Sequence, residues 1–154
     1  MAATVYLIDT QLLVLLIAGM TSVALIGRHK RLRAYSPEDF NSLCTLLGNP
    51  PRLLLTPHTL TETSNLLRQT DEPVRSKLLR SLAGLVRTLD ERTITSRLVI
   101  MQPAFARLGL TDAALLAMSC RNSTLLTVDF DLWGAAIKAR LPVINFSHIR
   151  QAGA

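Results

Sequence analysis

Aromatic residues, cysteines and glycine-rich loops are scarce in this sequence. The first scarcity limits what can fill the core, and the other two exclude classes of site. Aromatic side chains make up 5% of the 154 residues, so aliphatic side chains must fill the core. The two cysteines form no Cys-x-x-Cys motif and no Cys/His cluster, which argues against a zinc site. The seven glycines are scattered, and an NTPase or a dinucleotide-dependent enzyme needs a glycine-rich phosphate loop.

The settings of the two cysteines indicate a reducing compartment. Cys44 in NSLCTLLG and Cys120 in AMSCRN both lie in stretches that look helical and apolar. We therefore expect both to be small core residues rather than partners in a disulfide. A cytoplasmic location follows from this interpretation.

Length and charge are typical of one domain that acts on a polyanion. A chain of 154 residues is long enough to bury a core by itself, so we predict a single domain over residues 1–154. The formal net charge is +6, although several carboxylates follow apolar runs. An acidic pocket on a basic body suits a metal-dependent enzyme with a phosphate-rich substrate. A modest basic excess also keeps proteins soluble, so charge alone does not decide.

The apolar stretch at residues 11–27 raises the alternative of a membrane span. It is followed by the basic segment RHKRLR at residues 28–33, which could act as a positive-inside stop. However, the uninterrupted apolar part, residues 12–18, is much shorter than the ~20 residues that cross a bilayer. We therefore predict a buried helix after a first strand at residues 4–8, and no membrane segment.

Strand-like and helix-like segments alternate along the rest of the chain. The predicted strands are residues 4–8, 52–56, 123–128 and 142–146. The segment TITSRLVIM from residue 93 is compatible with a strand or with a helix that begins near Ser96. Strands that alternate with helices indicate an α/β fold with a parallel sheet and right-handed crossovers.

Four carboxylates follow apolar runs at the points where turns or helices begin. They are Asp9 in VYLIDT, Glu62 in TLTETSNLL, Asp112 in LGLTDAALL and Asp129 in LLTVDFDL. The carboxyl ends of parallel strands meet at one edge of a sheet, so we expect these side chains to converge. Carboxylates that converge repel one another unless a cation lies among them. The pattern therefore predicts a metal site.

Three of the four carboxylates also have a structural interpretation. Asp9 could cap the following helix, and Glu62 could close a capping box with Thr59. Asp112 follows Thr111, a candidate helix cap, and its charge would offset the helix dipole. The metal-site hypothesis depends on the four carboxylates taken together.

Accessory side chains are expected around this site. Thr127 lies two residues before Asp129 on the same strand face, so its hydroxyl could orient that carboxylate. Asp131 is either a helix cap or an auxiliary acid. Basic residues between the first and second helices are candidates for contact with nucleic acid, although such clusters are often only solvated. These are Arg28, Lys30, Arg31 and Arg33.

The order of these motifs resembles the PIN-domain ribonuclease family. The matching segments are YLIDTQLLVLL, LTPHTLTETSNLL, LGLTDAALLAMS and STLLTVDFDLWGAA. The resemblance implies a three-layer α/β/α sandwich with a parallel sheet in the strand order 3-2-1-4-5. It also implies a pocket for Mg²⁺ or Mn²⁺ in which Asp9, Glu62, Asp112 and Asp129 are the family's acidic positions.

The same resemblance suggests further roles for this chain. Asp9, Asp112 and Asp129 would be metal ligands, with Thr127, Asn65 and Asp131 as accessory residues. The substrate would be RNA, cleaved to leave a 5′-phosphate and a 3′-hydroxyl. The small size looks like the toxin of a VapC-like toxin–antitoxin module, which implies an antitoxin partner.

Two expectations about partners complete the interpretation. We expect many leucines on a long helix at residues 72–89 to be exposed, which predicts a homodimer. The alternative to an enzyme is a non-catalytic binding module that keeps the fold and contacts a protein partner. The complete set of four carboxylates favours the enzyme.

Overall fold

Parallel strands alternate with helices in the computed structural model, which describes residues 3–152 and the side chains as far as residue 150. The strands are β1 (Val5–Ile8), β2 (Leu54–Leu55), β3 (Asp90–Glu91), β4 (Ser123–Thr127) and β5 (Val143–Asn145). The helices are α1 (Thr10–Thr21), α2 (Pro37–Leu47), α3 (Pro57–Leu67), α4 (Val74–Thr88), α5 (Ser96–Val99), α6 (Phe105–Leu108), α7 (Leu110–Met118), α8 (Phe130–Lys138) and α9 (Phe146–Ala152). A 3₁₀ turn, Val23–Leu25, follows α1.

The strands pair in parallel, as predicted, but they form two sheets. One sheet has the order β1-β4-β5, with Ile8 opposite Leu126 and Leu126 opposite Ile144. The other contains β2 and β3. The α/β class and the parallel pairing are therefore confirmed, while the layer arrangement and the order across all five strands stay predictions.

Helix α1 forms the centre of the core. Its residues from Leu12 to Gly19 are all buried, because the helix is apolar on every side and is covered by α2, α3 and α4. Burial of each leucine or isoleucine contributes about 1.5–3 kcal/mol, so this helix is a major source of stability. Within residues 3–152, no helix is long and apolar enough to span a membrane.

Proline marks the first residue of two helices. Pro37 begins α2, and the side chains of Ser36 and Asp39 form a capping box. Pro57 begins α3, and the Thr56 hydroxyl accepts a hydrogen bond from the Thr59 backbone N–H. The predicted capping box between Thr59 and Glu62 is therefore wrong, since Thr59 already lies inside the helix.

The leucines of α4 face the core rather than the solvent. Leu78 and Leu85 are buried, and Leu79 and Leu82 pack against the same core cluster. The prediction that this helix exposes many leucines is wrong, and the homodimer loses the argument on which it rested. The helix itself is two residues shorter at its start than predicted.

One further sequence interpretation needs correction, and one that left two alternatives open is decided. Cys44 is partly buried in α2 as expected, but Cys120 is exposed in the turn after α7 because that helix ends at Met118. The segment TITSRLVIM forms the short helix α5 and not a strand. The third strand, β3, precedes that segment at Asp90–Glu91.

Candidate active site

Asp9 is buried at the end of β1, and three donors hold its carboxylate. Its side chain is 4% exposed. Oδ1 accepts a hydrogen bond from the Leu12 backbone N–H at 2.9 Å, which caps α1. Oδ2 accepts one from the Thr127 hydroxyl at 2.5 Å and one from the Val128 N–H at 2.8 Å. The capping interpretation of Asp9 is therefore confirmed, and two of the three donors come from Thr127 at the end of β4 and from Val128, the residue after it.

Thr127 joins Asp9 to the segment that carries Asp129. This fully buried hydroxyl donates to Asp9 and accepts from the Asp129 backbone N–H at 2.9 Å. The sequence correctly selected Thr127 as an orienting residue but assigned it the wrong carboxylate. The pairing of β1 with β4 explains the difference, because it places Asp9 directly beside the end of β4.

Asp129 is exposed and caps α8. Its Oδ1 accepts from the Leu132 backbone N–H at 2.9 Å. Asp131 is therefore not the cap; it is an exposed residue in the first turn of α8.

Glu62 reaches the same strand end from α3. The Thr10 hydroxyl donates to Glu62 Oε2 at 3.1 Å. Thr10 directly follows Asp9, so this bond ties an exposed carboxylate of α3 to the start of α1. Asn65 is also exposed, three residues further along α3 and hence on the face of Glu62.

Asp112 is the carboxylate whose ionisation the fold disfavours most clearly. It is half-buried in the first turn of α7, which begins at Leu110; Thr111 therefore lies inside the helix and is not its cap. The pKa of Asp112 is raised to about 7; burial is the largest cause, and the negative charges of Asp129, Asp9 and Glu62 contribute in the same direction. Repulsion from all three shows that the four predicted carboxylates are brought within electrostatic reach of one another.

The pKa of Asp9 is also raised, and the causes compete. Burial is the largest, and the charge of Asp129 acts in the same direction. The hydrogen bonds from Thr127, Leu12 and Val128 oppose it, because they stabilise the charged form. Asp9 is thus a buried carboxylate that the surrounding donors hold in one orientation.

The donor set suits a hard divalent cation, although the side chains do not surround one closely. Asp and Glu oxygens are the ligands that Mg²⁺ and Mn²⁺ prefer, and neither His nor Cys is needed. In the described part of the chain, no group of three or more His, Cys, Asp or Glu side chains is close enough to hold one ion. A shared cation would thus require side-chain rotation, for which exposed Glu62 and Asp129 have room.

Tyr35 is a neighbour of the site that the sequence did not indicate. The pKa of Tyr35 is raised to about 12; burial is the largest cause, the charges of Asp9 and Asp39 act in the same direction, and Arg150 acts in the opposite one. The Arg150 guanidinium lies 4.5 Å from the centroid of the Tyr35 ring and pairs with Asp39 at 3.0 Å. No local motif marks this tyrosine, because its neighbours come from distant segments.

The basic segment lies beside the start of α1. Its predicted nucleic-acid-binding residues are all exposed: Arg28, Lys30, Arg31 and Arg33. Buried His29 anchors the loop by accepting from the Arg31 N–H at 3.2 Å. Gln11 lies only two residues after Asp9, and its side chain donates a hydrogen bond to the Arg31 carbonyl at 2.6 Å. The segment is therefore near the acidic site, while its contact with nucleic acid stays a prediction.

Comparisons with protein-family models, curated proteins and solved structures gave no match to this chain. The family resemblance therefore rests on the sequence motifs alone.

Proposed function

We propose that this chain is a Mg²⁺- or Mn²⁺-dependent endoribonuclease of the PIN type, with its active site at the carboxyl ends of β1 and β4. The observation that carries the proposal is the pair of threonine hydroxyls at this sheet edge. Thr127 links Asp9 to the backbone of Asp129, and Thr10 links the same strand end to Glu62. Hydrogen bonds thus connect carboxylates from three separate segments to the sheet edge at which parallel-sheet enzymes bind their ligands.

The proposal includes the five-strand order β3-β2-β1-β4-β5. A parallel bridge between Tyr6 and Leu53 supports this arrangement, since it connects β1 with the residue before β2. The Tyr6 N–H also donates to the Arg52 carbonyl at 2.8 Å. With these contacts, the two sheets would form the single sheet that the resemblance implies.

Asp9, Asp112 and Asp129 would hold the cation, and Glu62 would hold a second cation or position water. When bound, a divalent cation supplies a water of lowered pKa and positive charge beside the scissile phosphate. Asp9 presents a fixed carboxylate, because Thr127 and two backbone N–H groups orient it. Asp112 carries a proton up to about pH 7 and must lose it to act as a ligand.

Incubation of purified protein with total RNA, with Mn²⁺ or with EDTA, tests the proposal. We expect Mn²⁺-dependent fragments with 5′-phosphate ends, and none from Asp9→Asn. Asp71→Asn is the matched control, because Asp71 is an exposed carboxylate in the turn before α4. Equal cleavage by the parent and by Asp9→Asn, or cleavage that persists in EDTA, would contradict the proposal.

A non-catalytic binding module remains the second candidate because of an exposed apolar patch. Leu98, Ile100 and Met101, in α5 and the turn after it, are all exposed. Apolar residues grouped in this way are typical of a surface that a protein partner covers. An antitoxin would be such a partner, as the resemblance implies. A melting temperature that is indifferent to Mg²⁺ and Mn²⁺, together with no RNA cleavage, would favour this candidate.

A further inference from the structure

Three aromatic rings lie together beside Asp129. Phe130 is the first residue of α8, directly after Asp129, and it is 71% exposed. Its ring centroid lies 5.4 Å from that of Trp133, with the planes tilted by 41°. The imidazole of His148, from α9, lies 5.4 Å from Trp133 in an edge-on arrangement. The exposed ring of Phe130 thus contacts Trp133, which in turn contacts the imidazole of His148.

This position makes Phe130 different from an ordinary exposed apolar residue. Single exposed apolar side chains are common and need no explanation. Here, however, the exposed ring adjoins a residue of the proposed active site, and its contact with Trp133 restricts the orientation of the ring. A flat, preoriented aromatic surface is what stacks against nucleic-acid bases.

We propose that Phe130, in contact with Trp133, is a platform on which the base of an unpaired nucleotide stacks, so that the chain selects single-stranded RNA. The claim that the chain selects a single-stranded substrate rests on the proposed nuclease function. The claim that a base stacks on Phe130 does not. In a duplex, the faces of the bases are covered by their neighbours, so only unpaired bases can stack on a protein ring.

The charges around Phe130 favour a base over the sugar-phosphate backbone. Asp129 and Asp131 flank the ring on both sides in sequence, and both are exposed. Their carboxylates would repel a phosphate placed over Phe130, whereas an uncharged base meets no such penalty. The phosphates are more favourably placed over the basic segment that contains Arg31 and Arg33, which is also exposed.

Binding can be measured without catalysis by adding EDTA to remove divalent cations. Trp133 is the chain's single tryptophan, so its fluorescence reports on this cluster alone. We expect a short unstructured RNA oligonucleotide to change this fluorescence, and a duplex of the same sequence to leave it unchanged. Fluorescence anisotropy of the labelled oligonucleotide then gives the dissociation constant for each variant.

Substitutions at Phe130 separate stacking from apolar contact. Because a stacked base contributes about 1–3 kcal/mol, we expect Phe130→Ala to weaken binding about 5- to 140-fold. Phe130→Leu should bind as weakly, since it keeps apolar bulk without an aromatic face, and Phe130→Tyr should bind like the parent. Met20→Ala is the matched control, because exposed Met20 lies about 16 Å from Asp9 along α1.

Each outcome bears on the inference separately from the nuclease proposal. Equal binding by Phe130→Ala and the parent, full binding by Phe130→Leu, or equal binding of duplex and single strand would overturn it. Binding that depends on Phe130, in a protein that cuts no RNA with Mn²⁺, would support the platform and reject the nuclease. If Phe130→Ala changes neither cleavage nor binding, the result would support the nuclease and reject the platform.

Discussion

Neutralising Asp112 should stabilise the protein at pH 8 and leave it unchanged near pH 4. The carboxyl of Asp112 ionises near 3.8 in an unfolded chain but near 7 in the fold, because burial and the charges of Asp129, Asp9 and Glu62 disfavour its anion. The folded state therefore binds this proton more tightly. Its contribution to stability is fully present below about pH 4 and is lost as the pH rises towards 7.

The size of the effect follows from the shift in pKa. For a fully buried group, a shift of this size corresponds to about 4 kcal/mol, and we halve it to about 2 kcal/mol because Asp112 is half-buried and solvent screens its neighbours. Asp112→Asn has no proton to lose, so it should be more stable than the parent by about this amount at pH 8. For a chain of this length, 2 kcal/mol corresponds to about 4–8 °C in melting temperature.

Urea and thermal unfolding of both proteins between pH 4 and pH 8 measure this difference. The difference in stability between Asp112→Asn and the parent should be absent at pH 4, grow as the pH rises to 7, and stay constant above that value. Mg²⁺ at pH 8 should stabilise the parent more than Asp112→Asn, because a bound cation relieves the repulsion that the substitution already removes. Asp71→Asn controls for loss of an exposed carboxylate. Parallel stability curves for Asp112→Asn and the parent at every pH would refute the electrostatic coupling of the four carboxylates.

Three substitutions test the hydrogen bonding at the site and the packing of α1. Asp9→Asn should abolish RNA cleavage and lower stability by about 1–2 kcal/mol in urea unfolding, because its amide nitrogen cannot accept the hydrogen bonds that a carboxylate oxygen accepts. Thr127→Val should cost about 1.5–3 kcal/mol by the same measurement, since it removes a hydrogen bond to a charged group, while Thr127→Ser should restore most of it. Gly19→Ala should destabilise by about 1–3 kcal/mol, because the added methyl overlaps the ring of Phe40. Gly84→Ala, where nothing lies near the new methyl, should be neutral or slightly stabilising, and equal melting temperatures for the two glycine variants would contradict this packing argument.

Local sequence patterns were sufficient for the elements that carry the site. The apolar runs before Asp9 and Asp129 are β1 and β4, and both carboxylates begin the helices that follow. Such positions can be predicted because a buried strand and a helix cap each depend on a few neighbouring residues. Strand β3 could not be found in this way, since its two residues are exposed and acidic and carry no strand pattern.

The capping box predicted between Thr59 and Glu62 was wrong, although a local signal at the start of α3 favours the correct cap. Both Thr56 and Thr59 are good cap residues, but Pro57 lies between them. Proline is favoured at the first helical position, which identifies Thr56 as the cap. The start of α2 has the same pattern, with Ser36 as the cap and Pro37 as the first helical residue. Once Thr56 is the cap, Glu62 has no role in starting the helix and is available for its bond with Thr10.

Contacts between distant segments could not be predicted from the sequence. The hydroxyl of Thr127 reaches Asp9 rather than Asp129 because of the register between β1 and β4, which no local pattern specifies. Tyr35 comes near Asp9 for a similar reason. The face of α4 that meets the core also depends on α1 and α3, so an amphipathic pattern predicted the helix but not the side that it buries.

Helix capping and metal binding are compatible roles for Asp9 and Asp129. A carboxylate has about four lone-pair sites. Asp9 uses three of them for hydrogen bonds, and Asp129 uses one for its cap, so each keeps acceptor capacity. Asp112 is the residue that best distinguishes a structural role from a role in metal binding. Among the described residues, it receives no hydrogen bond that would explain its position, and three carboxylates repel it. A half-buried acid at such a position costs stability in the absence of a cation, which is typical of a residue retained for function rather than for folding.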